Sequence, residues 1–201
     1  KVLDRRGAMA ISPHWMPVQS QLEHILESSQ DPVLSEATTR IVAIAFALAL
    51  VPAVLQAATI HVPANQATIQ AGIDAATPGD TVQIACGTYQ EHDLYIDKGI
   101  TLRSESGTAD CVTIDAGGLG RVAHLEGYIY PRLLIEGITF TGGLANNGGG
   151  LSSFGIEFTL RCCAFLDNEA TSWGGGLYLY YSDFELDDCE IRSNSAFWGG
   201  G

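Results

Sequence analysis

Between residues 148 and 201 apolar and polar positions alternate in short bursts. Leu177-Tyr178-Leu179, Phe184-Glu185-Leu186 and Cys189-Glu190-Ile191 each keep a period of two, and turn-forming Ser182-Asp183, Asp187-Asp188 and Ser193-Asn194 separate them. That period places alternate side chains on opposite faces of a strand. The whole block also recurs. Gly148-Gly149-Gly150-Leu151 returns as Gly174-Gly175-Gly176-Leu177, and a third triplet begins at Gly199 after nearly the same interval. Phe158 falls on Phe184, Leu160 on Leu186, Cys163 on Cys189, Phe165 on Ile191, Asn168 on Asn194, Ala170 on Ala196 and Trp173 on Trp198. A weaker copy runs through Ile135, Ile138, Phe140, Gly143 and Ala145.

Repeats of this length stack, each burying its core against its neighbours. Three short strands and no helix in each unit exclude the helical repeats, and the fixed leucine spacing of a leucine-rich repeat is missing. The pattern predicts an all-β chain, a right-handed parallel β-helix whose successive coils lie about 4.8 Å apart with inward side chains in ladders. Gly148, Gly149, Gly150, Gly174, Gly175 and Gly176 are then structural, placed where the backbone turns with positive φ or passes without a Cβ.

The first edge of such a stack needs a cover. A strand at Thr59 to Val62 is followed by Gln66 to Ala76, with Ile69 and Ile73 on one helical face, then the stop Thr77-Pro78-Gly79-Asp80 and a strand from Thr81 to Ala85. This predicts an N-terminal amphipathic capping helix. The register of the first coil is left open between two readings: Cys86 and Cys111 stand 25 residues apart, whereas in the next strand Val82-Gln83-Ile84 matches Ile100-Thr101-Leu102 at a shift of 18.

Upstream the pattern changes. Ile41 to Val51 is an unbroken apolar run after Arg40 and before Pro52, too short to span a bilayer and followed by small residues. It predicts a secretory signal peptide over 33–57, cleaved after Ala57, with synthesis starting near Val33 or Leu34. Residues 1–32 lack periodicity and are expected to be a disordered upstream extension. The β-helix then occupies 58–201 and, with the last triplet interrupting a motif, is expected to be truncated at its C-terminal end.

Composition narrows the partners. The 201 residues carry 10 Lys and Arg against 23 Asp and Glu, a net charge of −13, and 46% are apolar. Such a charge repels phosphate backbones, which argues against nucleic acid and favours neutral, cationic or calcium-bridged partners. All the cysteines, and every glycine except Gly7, follow residue 57, and no transmembrane helix is expected there.

Two resemblances add to this. Thr68 to Arg103, with TIQAGIDAATPGDTVQIACGTYQE and KGITLRS, resembles the cap and first coil of the pectate-lyase-like β-helix superfamily. The GGGL copies paired with Phe165-Leu166-Asp167-Asn168 and Ile191-Arg192-Ser193-Asn194 resemble the GG and FxxN repeats of polymorphic outer-membrane proteins. The chain departs from those repeats in having Gly where Ala is usual after GG, and Ile191 where Phe is usual. The resemblance implies the fold, and leaves activity open because one fold hosts lyases, hydrolases, adhesins and passengers.

Candidate chemistry is sparse. Asn168 and Asn194, at equivalent turns, are expected to form an asparagine ladder in left-handed backbone. Cys86 and Cys111, which flank the first coil beside turns, are expected to form a disulfide. Cys163 and Cys189, one coil apart, fit either buried thiols or a second disulfide, which leaves Cys162 over without zinc-ligand spacing. Glu157, Asp183, Glu185 and Asp187 form an outward acidic cluster, with Asp187 facing Arg161; it suits calcium, an acid and base pair, or a solvated surface. No other cofactor is indicated. The basic residues a lyase would need are limited to Arg161 and Arg192 in the repeats, and no catalytic residue is identified. His61, His92 and His124 read as turn or surface residues, and Tyr178, Tyr180, Tyr181, Trp173 and Trp198 either pack turns or stack on sugars.

The expectation is a secreted or cell-surface β-helix acting as a structural and binding module, adhesin-like or passenger-like, for carbohydrate or another surface protein. The alternative is a polysaccharide lyase or glycoside hydrolase with its catalytic coils beyond residue 201.

Overall fold

Short alternating segments give short strands, and in the computed structural model, which describes residues 57–127 and 130–200, every strand pairing is parallel. After β1 (Thr59–Val62) and α1 (Ile69–Ala75), the first coil comprises β2 (Thr81–Ile84), β3 (Gly87–Tyr89) and β4 (Leu94–Ile96). The second holds β5 (Thr101–Ser104), β6 (Val112–Asp115) and β7 (Ala123–Glu126). The third holds β8 (Leu133–Glu136), β9 (Ile138–Thr141), β10 (Leu144–Asn147) and β11 (Leu151–Phe154). In the fourth are β12 (Glu157–Arg161), β13 (Ala164–Leu166), β14 (Glu169–Trp173) and β15 (Leu177–Tyr180); β16 (Asp183–Asp187), β17 (Glu190–Arg192) and β18 (Ser195–Trp198) follow in the fifth. Equivalent strands pair from coil to coil into sheets of 6, 5, 4 and 3 strands, a parallel β-solenoid of about five turns. The expected export signal and upstream extension, apart from Ala57, lie outside the described residues.

The repeat predicts which residues meet. In the six-stranded sheet Ile60, Val82, Leu102, Ile135, Leu160 and Leu186 follow one another in register. The five-stranded sheet stacks Tyr89, Ile114, Phe140, Phe165 and Ile191, with the Phe140 and Phe165 rings 4.8 Å apart and nearly parallel. Each inward apolar side chain between the ends of these ladders is thus covered by apolar side chains above and below, and Val82, Leu102, Ile135 and Leu160 are wholly buried. Burying one such side chain contributes roughly 1.5–3 kcal/mol.

Three expectations need correction. Full coils contain four strands rather than three, because β10, β14 and β18 form a sheet of their own. Only small Ala145, Ala170 and Ala196 mark its inward side, and a bulge between Ala170 and Trp173 breaks the period of two that sequence reading depends on. In the first coils Val82 pairs with Leu102 and Thr81 with Thr101, so the shift from 81 to 101 is 20 rather than 18. The left-handed corner residue is also not the repeated asparagine but its predecessor: Asp167 (φ 53°) and Ser193 (φ 58°), at the place of Gly142 in the third coil.

The glycine triplet divides its work. Gly174 alone adopts a left-handed φ of 60°, whereas a Cβ on Gly175 would collide with the Ser195 backbone and one on Gly176 with the Asn194 carboxamide. The helix starts later than its sequence pattern suggests, because the Thr68 hydroxyl accepts from the Ala71 amide at 3.1 Å and fixes the N-cap. Ile69 and Ile73 are buried, and α1 lies against β1, β2 and β4. The Glu91 carboxylate of the first coil accepts from the Ile69 and Gln70 amides at 2.8 and 3.1 Å. The Gln70 carboxamide pairs with both backbone groups of Tyr95, at the edge of the four-stranded sheet, as a neighbouring strand would.

Candidate functional site: the outer faces of the coils

Stacking in register makes columns of outward residues as well as inward ones. On the six-stranded sheet one outward column reads Arg103, Glu136, Arg161, Asp187. Its charges alternate, with nitrogen to oxygen separations of 3.5 Å from Arg103 to Glu136, 3.7 Å from Glu136 to Arg161 and 3.2 Å from Arg161 to Asp187. The acidic residues singled out from the sequence share this face. Glu157 pairs in register with Asp183, and Arg132 approaches Glu157 at 3.5 Å and Glu185 at 3.9 Å. Glu157, Glu185 and Asp187 are therefore each paired with a guanidinium group rather than gathered around an open point. Among the described residues no three His, Cys, Asp or Glu side chains are grouped to hold a metal ion.

The asparagines face inward at a corner. Asn168 is 1% exposed; its Nδ2 donates to the Phe140 carbonyl and to Asn194 Oδ1, both at 3.0 Å, while its Oδ1 accepts from the Gly143 amide at 2.9 Å. Asn194 repeats the bond one coil on, donating to the Phe165 carbonyl at 2.9 Å. Every polar atom of the buried Asn168 carboxamide thus has a partner, which burial requires.

The aromatic residues occupy a different face. On the four-stranded sheet the outward columns are Tyr95, His124, Ser152, Tyr178 and Glu126, Phe154, Tyr180. Phe154 and Tyr180 are 49% and 44% exposed and stack at 5.6 Å, and Tyr181 packs edge-on against Tyr180 at 4.5 Å. On the adjacent three-stranded sheet Trp173 and Trp198, each about half exposed, stack at 5.7 Å. The rings pack against one another across coils while leaving surface to solvent. Phe154, Tyr95 and Phe197 were not singled out from the sequence; the repeated Gly-Gly-Gly-Leu start, which sets the register of β11 and β15, is the signal that places Phe154 over Tyr180.

The histidines do not come together. His92 Nδ1 lies 2.9 Å from Asp93, His61 borders a cavity of about 220 Å³ with Glu105, and His124 Nε2 lies 3.2 Å from Glu126. Arg192 pairs with its neighbour Glu190. Cys86 and Cys111 are disulfide-bonded with a Cα separation of 4.5 Å, joining the first two coils. Cys162, Cys163 and Cys189 are free thiols. Hydrogen bonding toward the neighbouring Cys189 thiol, and then burial, push the Cys163 thiol up, while the same neighbour lowers Cys189 to about 6. Burial first, and then the carboxylates of Asp188, Asp187 and Glu136, push the Cys162 thiol up.

Fold and faces together define a parallel β-solenoid repeat protein. No family model, curated protein or solved structure matches the chain. No helix among the described residues is long and apolar enough to cross a membrane.

Proposed function

We propose that the chain is an exported right-handed β-helix of the pectate-lyase-like kind, working as a cell-surface or extracellular binding module for carbohydrate, with α1 as the cap of its first coil. The observation that carries this reading is the half-exposed stack of Phe154 and Tyr180, on one sheet face with Tyr95 and Tyr178. Rings fixed by parallel pairing offer apolar surface at small ordering cost, and the C–H face of a sugar is its natural complement. A neutral glycan also suits a chain of net charge −13. Interleaving of the acidic cluster with Arg132 and Arg161 favours binding over acid and base catalysis by those carboxylates.

Titration calorimetry against neutral polysaccharides tests the reading. Replacing Phe154 and Tyr180 together by alanine is expected to weaken binding at least about tenfold, from loss of two stacking surfaces, with an unchanged circular-dichroism spectrum. Binding that survives the double substitution, or selective binding to a protein ligand instead, would contradict it.

A further inference from the structure

The five-stranded sheet carries two cysteine pairs in adjoining columns. Cys86 and Cys111 immediately precede β3 and β6, and their bond joins coils one and two. One position along, the column continues through Val112 and Ile138 to Cys163 and Cys189, which immediately precede Ala164 and Glu190 of β13 and β17. Cys163 and Cys189 are register neighbours, and coil spacing of about 4.8 Å falls within the Cα separation that a disulfide spans. Each sulfur lies against carbonyls of its surroundings: Cys163 Sγ is 3.3 Å from the Arg161 oxygen, and Cys189 Sγ is 3.4 Å from that of Leu160. Both border an open cavity of about 310 Å³, together with Thr108, Cys162, Asp188 and Glu190. Cys163 is buried, while Cys189 is partly exposed.

We infer that Cys189 and Cys163 form a thiol–disulfide exchange site that accepts a low-molecular-weight disulfide through this cavity and closes a second bond between coils. The Cys189 thiolate attacks one sulfur of the incoming disulfide, making a mixed disulfide and expelling the first small thiolate. Cys163 then attacks Cys189 Sγ, losing its proton as the Cys163–Cys189 bond forms and the second small thiolate is expelled. The Cys163 proton passes to one released thiolate and the other takes its proton from solvent, to which Cys189 had already lost its own, so the protein pair is oxidised and one small disulfide is reduced. The lowered proton affinity of Cys189 makes it the first attacker, and burial, then the carboxylates around it, disfavour the Cys162 thiolate. Cys162 is also in register with Asp188, its Sγ 4.0 Å from the carboxylate, and has no sulfur partner on the fifth coil.

The full chain is incubated with glutathione disulfide at neutral pH, digested with chymotrypsin without reduction and sequenced by mass spectrometry. The native chain is expected to give peptides crosslinked through Cys163 and Cys189 with Cys162 free. Cys163→Ser is expected to retain one glutathione on Cys189, and Cys189→Ser to lose at least about nine-tenths of the reaction. Glutathione accumulating on Cys162, a native chain that keeps glutathione on Cys189, or no reaction would each overturn the assignment, and the native crosslink is decisive even if a variant fails to fold.

Discussion

Asp80 joins the strand before the helix to the coil after it. Its Oδ1 accepts from the Ala58 amide at 2.7 Å, and its Oδ2 accepts from the Thr77 amide and hydroxyl, both at 2.8 Å. The Thr77 amide, then that of Ala58, hold this carboxyl below its ordinary range. A carboxyl with a lower folded than unfolded pKa contributes stability that is fully present above the unfolded value of about 3.9 and lost as pH falls through the folded one. Asp80→Asn is expected to cost about 1–3 kcal/mol at pH 7, and the cost should shrink towards pH 3, as urea titrations at both values would record. The sequence marked Asp80 only as the end of a turn. Its partners are brought together by the pairing of Thr81 with Thr59 on the far side of the helix, which no local pattern reveals. Asn168 was more legible, since a second copy at Asn194 announces it.

At the scale of the coil, a single left-handed residue makes each corner of the third and fourth coils. The third coil uses glycine at all four: Gly137, Gly142, Gly148 and Gly155. The fourth uses Cys162, Asp167, Gly174 and Tyr181 at the same places, with φ between 50° and 60°. A non-glycine residue there carries a cost of about 1 kcal/mol. Asp167→Gly, which restores the residue of the coil below, is therefore expected to raise unfolding stability by up to about 1 kcal/mol in urea. Asp167 is exposed and its side chain is in none of the ion pairs described above, so little is lost with it. The strands whose apolar residues alternate were legible in the sequence, and so were the turns. The alanine-marked strands β10, β14 and β18 were not, because burial of so small a side chain leaves no hydrophobic period to read.

The whole molecule rests on register. The repeat states that Leu160 and Leu186 are neighbours, as are Phe165 and Ile191, and the parallel pairing places them so. Outside the repeats that guide is lost, which is why the register of the first coils departs from the one their sequence suggests. The outward faces are less legible than the core, since an outward residue is constrained only by solvent. Phe154 and Tyr180 gain meaning when their coils are superposed, and the thiol pair when its cavity is seen beside it. Nuclear Overhauser contacts between methyl groups test the stacking most directly. The account predicts cross-peaks linking Leu102 to Ile135, Ile135 to Leu160 and Leu160 to Leu186 in turn; methyl contacts confined to residues close in sequence would contradict it.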